Sequence, residues 1–171
     1  MSALVVYESI YGNTRAVAEA VAEGLGGADV REVTELGELA EAPGLIVAGG
    51  PTHMHGLTTG RSRRMAHEAA KEDGAETERP EADRGLRECL RDLPDGGGAL
   101  AAAFDTRLDR AAALTGSAAR GIARRLKRRG YAVVATDSFL VEDAEGPLEE
   151  GELERARAWG AGLAERQPAG G

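Results

Sequence analysis

Large side chains are scarce in this chain of 171 residues. Leu, Ile, Val and Phe together supply 32 residues, just under a fifth, and another 32 are alanine. So little bulk, with a formal net charge of −8, stands at the border of the disordered class. Composition alone therefore does not establish a folded core. Cysteine is nearly absent, and the single Cys89 excludes an internal disulfide and a Cys-rich metal site. Its place among Leu86, Leu90 and Leu93 at helical spacing predicts a buried packing thiol. No apolar run reaches the length of a membrane span, and the N-terminus opens into a strand-like segment rather than a signal peptide. A cytoplasmic protein without a membrane partner is expected. The acidic balance predicts no nucleic-acid partner, although Arg120 to Arg129 is locally basic.

The pattern along the chain supplies what composition does not. Ala3 to Tyr7 is a continuous apolar run, as a strand covered on both faces requires. Thr14 to Leu25 carries Val17, Val21 and Leu25 at helical spacing, and Gly26-Gly27 supplies a stop. Strands are expected again at Asp29 to Val33, Gly44 to Ala48, Ala99 to Phe104 and Tyr131 to Val141. The alanine run of the third of these also suits a helix. Helices are expected at Ser62 to Ala70, around Leu86 to Leu93, at Thr115 to Arg129 and at Glu149 to Glu165. Lys71 to Asp83 reads as a solvated loop or an extended helix end. Read as β-α-β-α-β-α-β-α-β-α, this order predicts one α/β domain over residues 1–166, with 167–171 a frayed tail. Its five parallel strands would be doubly wound, with helices on both faces and a ligand beyond their carboxyl ends.

Chemistry would then gather at the strand ends. After the first strand the chain reads Ser9-Ile10-Tyr11-Gly12-Asn13-Thr14. Two hydroxyls, a permissive glycine and a helix start suit a phosphate, which main-chain amides and the helix dipole would hold. The same junction also suits an ordinary turn capped by Asn13 or Thr14.

Three segments together resemble the flavodoxin family. They are Ser9 to Thr14, then Gly49-Gly50-Pro51-Thr52-His53-Met54-His55-Gly56, then Phe104-Asp105-Thr106-Arg107. The ending Ser138 to Asp143, followed by Gly146-Pro147-Leu148 and an acidic helix, is similar as well. The resemblance spans nearly the whole chain and implies a flavodoxin-like fold and an FMN cofactor. Ser9, Ile10, Tyr11, Gly12, Asn13 and Thr14 would hold the phosphate. Pro51, Thr52, His53, Met54, His55 and Gly56 would form one flavin loop, and Phe104, Asp105, Thr106 and Arg107 the other. It further implies an electron carrier between a reductase and an acceptor, with a redox partner protein. An FMN-dependent quinone or protoporphyrinogen oxidoreductase is the alternative, and a flavin-free binding module a third reading.

Two departures from that family bear on mechanism. The second loop has no stacking Tyr, which implies either weaker FMN binding or a ring covered by His, Met or Arg. The acidic cluster near the ring edge is partly replaced by Arg61, Arg63, Arg64 and Arg107, which predicts a less negative potential. A receiver domain shares the element order but needs a carboxylate where Gly49-Gly50 stands. His53 and His55 form too small a set for a metal site, and none is expected. His67 reads as a surface residue and Trp159 as a core anchor. The run Arg120 to Arg129 reads as an outer helix face or a dock for an acidic partner. Glu142 to Glu154 reads as a solvated helix start or a surface for a basic redox partner.

Overall fold

The structure, a computed structural model, describes residues 2–53, 56–74, 76–77, 84–110 and 116–168. Met54, His55, residues 78–83 of the polar stretch and 169–171 of the expected tail lie outside the described residues. Five strands run parallel: β1 (Ala3–Tyr7), β2 (Asp29–Glu32), β3 (Leu45–His53), β5 (Leu100–Leu108) and β6 (Ala132–Val141). Their order is β2-β1-β3-β5-β6, and a short β4 (Gly56–Leu57) pairs antiparallel with the end of β3. The helices are α1 (Asn13–Gly24), α2 (Gly60–Asp73), α3 (Leu86–Asp92), α4 (Ala118–Arg128) and α5 (Glu152–Ala164). This is a doubly wound flavodoxin-like α/β fold.

The central strands alternate their contacts between two cores. Leu4, Val6, Ile46, Ala48, Ala101 and Ala103 pack against α3, α4 and the segment after β2. Val5, Tyr7, Val47, Ala102 and Phe104 pack against α1 and α5. Both faces are covered, which is why β1 reads as a continuous apolar run. Alanine fills the close approaches. Glycine goes further between α1 and α5, where a Cβ on Gly24 would lie 2.0 Å from the Arg157 carbonyl oxygen. One on Gly160 would lie 2.2 Å from that of Val21.

The element order needs one correction. Among the described residues no helix joins β2 to β3, and two helices, α2 and α3, follow β4. Gly37 and Pro43 break the connecting segment, and Val33, Leu36 and Leu39 pack it against the sheet without a helix. Two strands also run longer than the sequence indicates. The β3–β5 ladder continues to Pro51 opposite Thr106, and β5 stays paired with β6 as far as Leu108 opposite Val141. Pro51, Thr52, His53, Asp105, Thr106 and Arg107 are therefore strand ends rather than free loops. Lys71 to Asp73 completes α2, which Gly74 terminates at φ 69°.

Candidate functional site

The ends of β1, β3 and β5 open onto a cleft of about 650 Å³. The segment after β1 forms one wall through Ser9, Ile10, Tyr11, Asn13 and Thr14. Pro51, Thr52 and His53 reach it from β3, and Thr106, Arg107, Leu108 and Arg110 from β5 and its continuation. Val141, Ala144 and Glu145 close the side next to β6.

The Ser9–Thr14 turn shapes that first wall. Gly12 sits at φ 93°, a left-handed conformation that suits glycine, and turns the chain into α1. Its amide donates to Ser9 Oγ at 3.0 Å. Gly12 is the N-cap and makes no side-chain cap, so neither Asn13 nor Thr14 serves as the expected capping residue. No acidic side chain lies in the first turn of α1. This helix end, uncovered by any cap side chain and bordered by Ser9 and Thr14, fits an anion. Thr14 is buried, and its hydroxyl lies 2.8 Å from that of Thr106, tying the wall to β5. Asn13 Nδ2 donates to the Glu145 carbonyl at 3.1 Å and ties it to the β6 side.

Charges around the cleft are mixed. Arg107 and Arg110 line it, and so do Asp73 and Glu145. Burial first, then the carboxylates of Glu145 and Asp73, raises the pKa of the Tyr11 hydroxyl. Tyr11 therefore keeps its proton at neutral pH and can donate. Burial lowers the pKa of His53 against an opposing pull from Glu8, so its imidazole is neutral at pH 7.

Of the four arginines expected near a ring edge, only Arg107 lines the cleft. Arg63 is buried instead, 3.8 Å from Glu8 and 3.4 Å from Glu88. Glu8 is itself buried at the end of β1, where it accepts from Thr58 Oγ1 and the Leu86 amide, each at 2.7 Å. Arg61 and Arg64 are exposed on α2 away from the cleft. The Arg107 charge is itself offset, with Nε 4.0 Å from Asp105 Oδ1. The cationic surround inferred from the arginine run is thus corrected to a balanced one.

Two residues of the second expected loop face elsewhere. Phe104 is fully buried, edge-to-face with Phe139 at 6.0 Å and with Trp159 at 6.3 Å. Its ring lies over Gly49 of the neighbouring strand, where a Cβ would come within 2.0 Å of it. Trp159 thus anchors this core as expected. Asp105 is also fully buried. Its Oδ2 accepts from Thr52 Oγ1 at 3.0 Å, Ser117 Oγ at 2.8 Å and the Ala119 amide at 2.9 Å. Neither Gly12 nor Gly56 lines the cleft, the one acting through backbone shape and the other through its pairing with His53.

Sequence reasoning missed the contribution of α2. Met65, Ala66, Ala69 and Asp73 present one helical stripe to the cleft. Met65 stands out only in the structure, where among the described residues it and Leu153 are the large hydrophobic side chains left exposed. His67, expected to be a plain surface residue, is half-buried, with Nδ1 3.0 Å from Thr77 Oγ1.

No protein-family pattern and no curated protein matches the chain by sequence. Solved structures match its fold along nearly the whole length. A flavodoxin 2 from Bacillus cereus is 20% identical over 97% of this chain and 99% of its own, with a TM-score of 0.61. A WrbA-like flavodoxin from Agrobacterium tumefaciens is 21% identical over 98% and 99%, at 0.58. A Fusobacterium nucleatum flavodoxin bound to flavin mononucleotide is 12% identical over 98% and 99%, also at 0.58.

Proposed function

We propose that this cleft binds FMN and that the protein carries electrons between a reductase and an acceptor. The observation that carries the reading is the open N-terminus of α1, set between Ser9 and the Thr14–Thr106 hydroxyl pair. A phosphate there would meet main-chain amides and hydroxyl protons. Thr52 spends its hydroxyl on Asp105 and the Ala118 amide, so it shapes the ring site through its backbone and methyl group. Met65, Ala66 and Ala69 offer the apolar contact that a planar ring requires. When bound, the flavin would supply the electron-accepting chemistry. The chain would orient it and limit its exposure to water.

Titration with FMN tests the reading. Flavin fluorescence is expected to quench on binding, and the melting temperature to rise with added FMN. Unquenched fluorescence and an unchanged melting temperature would leave the flavin-free binding module. A second reading, FMN-dependent reduction of a quinone-like acceptor, draws on the wall that β3 and β5 form. Its described residues put no Tyr, Trp or Phe ring on the cleft. Turnover of a quinone by the FMN-loaded protein would separate enzyme from carrier.

A further inference from the structure

We propose that the groove between α3 and α4 docks an acidic segment of a partner protein. This inference does not rest on flavin binding. The groove encloses about 340 Å³, with Leu90 and arginine stems on its walls and guanidinium groups from both helices around it. Arg87 and Arg91 stand one turn apart on α3, and Arg125, Arg128 and Arg129 lie along the last turn of α4 and its cap. Arg124 stands beside them on the same helix.

What marks this cluster is the absence of compensation. Twenty-nine acidic residues outnumber 21 basic ones, so a surface arginine has carboxylates in excess to pair with. Arg15, Arg31, Arg155 and Arg157 each do so. Among the described residues Arg87, Arg124, Arg125, Arg128 and Arg129 have no acidic partner. Arg87 donates to the Leu57 and Thr58 carbonyls, Arg125 to Gly121 and Arg129 to Leu93. Arg91 pairs only with the adjacent Asp92.

Glu88 is the one acid lining the groove, and its charge is committed. Burial opposes ionisation, but the Gly85 amide and Arg63 outweigh it and hold Glu88 below the usual carboxylate range. Burial, then the charges of Arg87, Arg128 and Arg124, lowers the pKa of the Arg125 guanidinium against a smaller opposing pull from Glu88. The unbound surface therefore holds like charges together at a cost in stability.

The distribution of charge also selects the partner. The groove helices cover one face of the sheet, while α5 packs with α1 on the other. Glu149, Glu150, Glu152 and Glu154 lie at the start of α5. This polarity would turn the basic face toward an acidic partner during approach. Guanidinium groups repeating at helical spacing, over a floor with aliphatic character, suit several carboxylates on one polypeptide. The net charge of −8 disfavours an extended nucleic acid, whose backbone would reach past the patch.

A fluorescein-labelled octaglutamate peptide would probe the surface by anisotropy, alongside a Gly-Ser peptide and a short DNA duplex. Octaglutamate is expected to bind, with affinity falling as salt rises, and to exceed both controls. Arg125→Gln/Arg128→Gln should weaken it about tenfold or more while leaving the melting temperature equal or higher, because like-charge repulsion is relieved. Arg61→Gln/Arg64→Gln, an equal loss of charge on α2, should leave affinity within about twofold. Equal weakening by both pairs would overturn the proposal. So would a groove variant that melts lower with unchanged binding, tighter binding of DNA, or octaglutamate binding no better than Gly-Ser.

Discussion

Two helix N-termini face the same edge of the sheet, and the protein treats them in opposite ways. The start of α4 is filled from within. Its Ala118, Ala119 and Arg120 amides donate to Thr52 Oγ1, Asp105 Oδ2 and Ser117 Oγ. The start of α1 has Gly12 as its N-cap, with no side-chain cap hydrogen bond. Exposed first-turn amides are a cost that most helices remove with a cap. One such end is closed with a buried carboxylate, while its neighbour at Gly12 carries no side-chain cap.

The sharpest way to break this comparison is to empty the closed end. Asp105→Ala would strand two hydroxyls and an amide in a buried setting, and a loss of about 3 kcal/mol is expected from urea unfolding. A loss below about 1 kcal/mol would mean that water replaces the carboxylate and that α4 is not closed by it. At the open end, Gly12→Ala would place a Cβ at φ 93° and cost about 1–2 kcal/mol. It should also weaken FMN binding, and unchanged affinity would move the phosphate away from α1.

Ser117→Ala removes both the cap on the Arg120 amide and one donor to Asp105, and should cost about 1–2 kcal/mol while FMN affinity stays unchanged. A parallel fall in affinity would mean that the two ends are coupled. The smallest effect concerns pH. The folded-state pKa of His53 is lowered, so the unfolded chain binds its proton more readily. Stability should therefore fall as pH drops below about 6.5, the unfolded value, and level off below the folded one. His53→Gln should remove that part of the slope, and an identical profile in the variant would show that His53 is not protected from protonation.

The strands were legible because burial on both faces leaves an apolar run, as in Val5-Val6 and Leu45 to Ala48. The Ser9–Thr14 turn was legible because glycine and hydroxyl residues have few other reasons to follow such a run. Phase was harder. The run Arg61, Arg63, Arg64 shows charge but not direction, and Arg63 turns inward toward the carboxylates of Glu8 and Glu88. Phe104 faces the core because Gly49, across the ladder, leaves room for its ring. Such pairings join positions far apart in the chain, so local periodicity does not carry them. The helix wrongly expected between β2 and β3 came from assuming strict alternation where Val33, Leu36 and Leu39 needed only a packed coil.

The near-contact of backbones at Gly24 and Gly160 reaches beyond core packing. Gly24 ends the 12-residue α1 whose other end carries the open amides, roughly 18 Å away at 1.5 Å per residue. At its tail the helix meets α5 backbone to backbone, which fixes how closely the two helices approach. An added methyl group there would push α1 away from α5 and shift the turn that forms one wall of the cleft. The alignment of the cleft is therefore set partly by two hydrogen atoms at the far end of the molecule.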